Sequence, residues 1–105
     1  MDYSKLSDHE INVKVGSVIG FAAKLMAVNK QTDYCNNPED AWPIISENGI
    51  SLIKCTVDSG YWSAEIITDI DDVTDKIFQC QSSFDYQDAN PLRAAMVVFL
   101  MMQEK

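Results

Sequence analysis

The most strongly patterned stretch lies near the end of the chain. From Leu92 to Met102 the residues are apolar on nearly every side, interrupted by Arg93 alone. Asn90-Pro91 ahead of it supplies a helix cap and a proline at the first helical position, where its fixed φ suits the turn. A helix that is hydrophobic all round is buried all round. This one must therefore pack on a sheet and also be covered by other helices or by a second subunit.

Near the start, Ser7-Asp8-His9-Glu10 is a capping box, with Leu6 and Ile11 placed for a hydrophobic staple. The helix it opens runs through Ile11, Lys14 and Val15 and is expected to fail near Gly16. Val18 to Lys30 is ambiguous. Its composition favours helix, yet the alternation of Phe21, Ala23, Leu25 and Ala27 suits a strand. Because a lone hairpin is only marginally stable, the need for a further strand tips this segment towards β.

Asn36-Asn37-Pro38-Glu39-Asp40 opens another helix, capped either by Asn37 with Pro38 first or by Asp40 with Ala41 first. Pro43 favours Asp40, since a proline is harmless in the first turn but costs ~3 kcal/mol deeper in. Gly49 marks the stop. Ile50 to Val57 and Tyr61 to Thr68 are rich in β-branched and aromatic residues and predict a hairpin turning at Asp58-Ser59-Gly60. Asp69 to Asp88 is expected to be a polar acidic connection with one short helix around Val73 to Gln79.

These elements predict an α+β fold: an antiparallel sheet around the Ile50–Thr68 hairpin, helices packed on it, and the C-terminal helix buried. A length of 105 residues allows one domain, 1–105. No stretch approaches the ~20 apolar residues needed to cross a bilayer. Met1-Asp2-Tyr3-Ser4-Lys5 has neither the basic start nor the apolar core of a signal peptide, so a cytoplasmic location, that of a host cell, is expected. A homo-oligomer, most simply a two-fold dimer, would help cover the last helix.

Charge narrows the function classes. The net charge is −8, and Asp58 to Asp88 holds eight acids against Lys76 alone. Nucleic-acid and anionic-membrane binders need a basic surface, so neither direct nucleic-acid binding nor membrane binding is expected. Cys35, Cys55 and Cys80 form no C-x-x-C motif and read as buried free thiols. Asp69-Ile70-Asp71-Asp72-Val73-Thr74-Asp75 departs from a calcium loop at its fifth and sixth positions and reads as a solvated acidic loop. His9 has no catalytic partner placed by sequence. With no P-loop, G-x-S-x-G, H-E-x-x-H or dinucleotide fingerprint, neither a cofactor, a metal nor an enzymatic activity is expected.

Three blocks carry a family likeness. They are Tyr3-Ser4-Lys5-Leu6-Ser7-Asp8-His9-Glu10-Ile11-Asn12, then Asp33 through Ile45 with its Asn36-Asn37-Pro38-Glu39-Asp40-Ala41-Trp42-Pro43 core, and Asn90 through Met102. Together they resemble the NinX-like accessory proteins of tailed phages over nearly the whole chain. That resemblance implies a phage or prophage source and an accessory role, with no catalytic residues to carry over. A weaker likeness, on Tyr34, Ala41, Trp42, Pro91, Leu92, Arg93, Ala94 and Ala95, runs to small phage α-β-α sandwich domains. Some phage proteins of that general architecture sequester nucleotide signals of bacterial immunity, and a counter-defence role here would be fold-level analogy.

Two candidate sites follow. The Asn90–Arg93 helix start offers free amides and a guanidinium fork suited to a small anionic nucleotide, with Tyr34 and Trp42 as stacking candidates. The plain alternative is that Asn90 merely caps, that Arg93 pairs with an acid such as Asp88 or with a chain carbonyl, and that Trp42 is core. The second candidate is the acidic face at Asp69, Asp71 and Asp72, suited to a basic surface of a host nucleic-acid-binding protein.

Overall fold

The computed structural model describes residues 1–54, 60–73 and 77–104, and for residues 67–73 and 77–83 the backbone only. A single 3₁₀ turn, Tyr3–Lys5, leads into α1 (Asp8–Ile19), α2 (Phe21–Val28), α3 (Pro38–Asn48), β1 (Ile50–Lys54), β2 (Trp62–Val73), β3 (Ile77–Asp88) and α4 (Pro91–Gln103). The strands form one antiparallel sheet in the order β1-β2-β3. The α+β class is as expected.

The capping box forms as read. Ser7 Oγ accepts from the Glu10 amide at 3.1 Å, and Glu10 Oε1 accepts from the Ser7 amide at 3.0 Å. Those bonds from Ser7 hold the Glu10 carboxyl below its ordinary range. Contrary to expectation, α1 does not fail at Gly16 but continues to Ile19. A Cβ on Gly16 would lie 2.8 Å from the Ala23 carbonyl oxygen and 3.0 Å from the Lys24 Cα. The glycine is there because α2 crosses against it, not because the helix ends.

Residues Phe21–Val28 are helical, which corrects the expected strand. The sheet finds its third strand elsewhere, so the helix-forming Ala, Lys, Leu and Met content of this segment goes unopposed. Ala27 is buried, while Phe21, Leu25 and Val28 are exposed.

Helix α3 corrects the cap assignment. Asn37 Oδ1 accepts from the Glu39 amide at 3.0 Å with Pro38 in the first turn. Asp40 lies inside the helix, and its Oδ2 accepts from the Asp33 amide at 2.9 Å. It ties down the preceding turn instead of capping the helix. Pro43 sits in the helix interior. The residue four back, whose carbonyl loses the helical amide it would otherwise accept from, is Glu39, which is exposed to solvent. Ala41, Ile44 and Ile45 form the buried face, and Trp42 falls off it at 62% exposed, contrary to its reading as core. Gly49, at φ 65, ends the helix in the left-handed region as expected.

The hairpin pairing holds, with Ile50 opposite Ile66 and Lys54 opposite Trp62. Its turn at Asp58-Ser59-Gly60 lies mostly outside the described residues, as does Cys55. The segment read as a connection with a short helix is instead strand: β2 runs on to Val73, and Ile77–Asp88 returns beside it. Acidic and polar composition hid this strand, although Phe84 and Tyr86 near its end pack against the core. Irregularities in the register fall between Ile66 and Asp69, just past the residue opposite Ile50, where β1 begins.

Helix α4 is buried along residues Ala94, Ala95, Met96, Val97, Val98, Phe99 and Leu100. It packs on all three strands and against α1 and α3. The cover demanded by its all-round hydrophobicity therefore comes from within the chain.

Candidate functional site

The polar centre of the molecule is the start of α4. Asn90 Oδ1 accepts from the amides of Leu92 and Arg93, at 3.0 and 3.4 Å, and the Asn90 carbonyl takes the Ala94 amide at 3.0 Å. Asn90 Nδ2 donates to the Cys35 carbonyl at 2.6 Å and to Asn36 Oδ1 at 3.1 Å. The amides that would greet an anion are thus already bonded.

Arg93 is bound on every side of its fork. Nε donates to Asp88 Oδ2 at 3.2 Å, and Nη1 to Asp8 Oδ1 at 2.7 Å. Nη2 donates to the carbonyls of Tyr3 at 3.1 Å and Leu6 at 2.6 Å. Its side chain is 11% exposed. Burial pulls its pKa down, but the bond and charge of Asp8, with the charge of Asp88, outweigh that and raise it. The guanidinium is a clamp joining the N-terminal turn, the start of α1, the end of β3 and α4. Of the two readings open from sequence, the pairing with Asp88 and chain carbonyls is the one found.

A second layer surrounds the clamp. The buried Asn12 donates through Nδ2 to Asp33 Oδ1 at 2.8 Å and accepts from the Cys35 amide at 3.0 Å. Asn36 Nδ2 reaches both Asp33 and Asp8 Oδ2, the latter at 3.1 Å. Cys35 is buried, and burial together with Asp8 pushes its thiol up to about 12. Tyr34, offered as a stacking residue, is buried in the core, and that burial raises its hydroxyl above the ordinary range. Trp42 is exposed on α3 and is not a partner of Arg93. The structure brings Asn90 and Arg93 together but joins neither aromatic to them in an open cleft.

Sequence reasoning missed Asp8, Asn12, Asp33 and Asn36. Their signal was faint: Asp8 stood out only as part of the capping-box run, although all four lie in the family blocks. A hollow of about 230 Å³ is lined by Asp8, His9, Asn12, Lys30, Thr32 and Asp33. It is smaller than the ~300–1,000 Å³ of small-molecule sites, and Arg93 does not line it. His9 is half-buried there. Among the described residues no group of His, Cys, Asp and Glu could hold a metal ion, and no helix is long and apolar enough to cross a membrane.

Asp69, Asp71 and Asp72 belong to β2 beyond the reach of β1, and their side chains lie outside the described residues. From Ile67 to Val73 the recorded pairing of β2 is with β3. The acidic run therefore falls on a two-stranded ribbon.

Fold and site together define a small α+β protein with a structural polar centre and an acidic β-ribbon. Residues 2–103 match the family model described as Bacteriophage P22, NinX, and the chain belongs to that phage family, as the three sequence blocks led us to expect. No curated protein and no solved structure matches it.

Proposed function

We propose that this NinX-family protein is a non-enzymatic phage accessory factor that acts by association, using its acidic ribbon to mask a basic surface of a host nucleic-acid-binding protein. One observation carries this reading. The segment from Asp58 to Asp88, with eight acids against one lysine, is built mainly of two paired strands that outrun the rest of the sheet. Clustered like charge on such a ribbon steers encounter with an opposite surface and gives salt-sensitive affinity.

Sequestration of a small anionic nucleotide draws no support from this geometry. A phosphate at Arg93 would have to displace Asp8, Asp88 or two carbonyls, and at α4 it would compete with the Asn90 cap. The same bonds would be lost without any gain in their number.

The test is retention of host proteins by the wild-type chain and by the triple variant Asp69→Lys, Asp71→Lys, Asp72→Lys. The wild type is expected to hold a basic nucleic-acid-binding protein, released as salt shortens the screening length from about 10 Å towards about 3 Å. The variant should bind it roughly tenfold or more weakly, about 1.4 kcal/mol. Identical partners and affinities from both chains would refute the proposal.

A further inference from the structure

The helical hairpin at the other pole of the charge distribution has no role in that reading. Val18, Ile19, Phe21, Leu25, Met26 and Val28 are 43–77% exposed, with Phe21 the most open. Phe21, Leu25 and Val28 stand at i, i+4 and i+7 on α2, which places them on one stripe, and the small exposed Ala22 beside them leaves room for close approach. Such a stripe is the self-complementary element that a two-fold contact needs, since it meets an antiparallel copy of itself residue for residue.

Size points the same way. The exposed apolar area of these six side chains is on the order of 500 Å². A standard interface buries roughly 800 Å² per partner, of which about 56–65% is apolar. One hairpin thus carries about the apolar share of one half of a stable dimer.

The charges at its rim separate this occupant from others. Between Ile11 and Thr32 the chain holds Lys14, Lys24 and Lys30 and no acidic residue, although its net charge is −8. We propose that the α1–α2 hairpin is the self-association face of this protein, closing a two-fold dimer through Phe21, Leu25 and Val28 with lysines at the rim. Carboxylates sit beside two of these lysines, Glu104 near Lys14 and Asp8 and Asp33 near Lys30. The dimer is therefore held by apolar contact against the repulsion between two chains of net charge −8 each. Salt screens that repulsion and tightens the dimer, whereas salt would loosen an acidic partner or an anionic lipid surface on the same face.

Sedimentation velocity of the full chain tests this. The wild type is expected at twice the 11.8 kDa chain mass, with self-association strengthening as salt rises from about 0.05 M to about 0.5 M. Leu25→Glu and, separately, Phe21→Ser should weaken the dimer by roughly tenfold or more while leaving the far-ultraviolet circular dichroism unchanged, because both side chains are exposed. A wild type that stays monomeric at about 0.1 mM, well above the concentration at which a micromolar dimer forms, would overturn the proposal. So would a dimer that both variants leave intact, or one that salt dissociates. Binding of a monomeric wild type to phosphatidylglycerol vesicles would reassign the face to lipid.

Discussion

Cys35 shows how far a single side chain can be moved by its surroundings. Its thiol is held near 12 by burial first and by the neighbouring carboxylate of Asp8 next, against 9.0 for a free thiol. The sign of the consequence is fixed. The native chain keeps this proton while the unfolded chain loses it near pH 9, so the contribution to stability is complete below pH 9 and is lost as pH rises from 9 towards 12. Tyr3, raised from 10.0 to about 12 by burial and by Glu104, adds to the same alkaline limb. In a Cys55→Ser, Cys80→Ser chain, Cys35 should react with a disulfide reagent at pH 8 at least about tenfold more slowly when folded than in denaturant, since the smaller thiolate fraction is only partly offset by its higher nucleophilicity. Equal rates would show that the thiol is neither buried nor raised. Sequence foresaw a buried free thiol here, but not the carboxylates around it. Asp8 lies 27 residues from Cys35 and 85 from Arg93 along the chain, and a spacing argument reaches only within one element.

At the scale of elements, those marked by a cap, a stop or a β-branched run were legible, and those of uniform or polar pattern were not. The capping box, the Gly49 stop, the Ile50–Thr68 pairing and the Asn90-Pro91 start all follow from local chemistry. Helix α2 was misread because seven of its eight residues are apolar, which erases the difference between a period of two and one of 3.6. Strand β3 was misread because it is polar, and Pro43 misled the choice of cap because a proline over an exposed carbonyl is tolerated. Gly16 is a further case: a residue that looks like a stop serves as a contact. Gly16→Ala should cost about 1–3 kcal/mol in urea unfolding, the range for forcing an extra methyl into a packed contact. A neutral or stabilising effect, as helix propensity alone would give, would mean that α1 and α2 can part without loss.

For the whole molecule, α4 is the axis and Arg93 the tie that closes the fold around it. The helix is covered by three strands and two other helices, and its first turn is joined through one guanidinium to the two segments that begin and end the rest of the chain. The fold class could be inferred from sequence because all-round burial of α4 demanded a sheet and helices on either side. The fate of Arg93 could not, since a helix start offers the same chemistry to a bound phosphate and to a carboxylate of its own chain. Urea unfolding of Arg93→Ala beside Arg93→Lys tests this most directly. Loss of a largely buried fork, discounted for the partly exposed Asp8, predicts about 2–4 kcal/mol for alanine. Lysine keeps the charge but not the fork, and should recover only part of that stability. An alanine variant as stable as the wild type would contradict the clamp and return Arg93 to the role of a free anion-binding group.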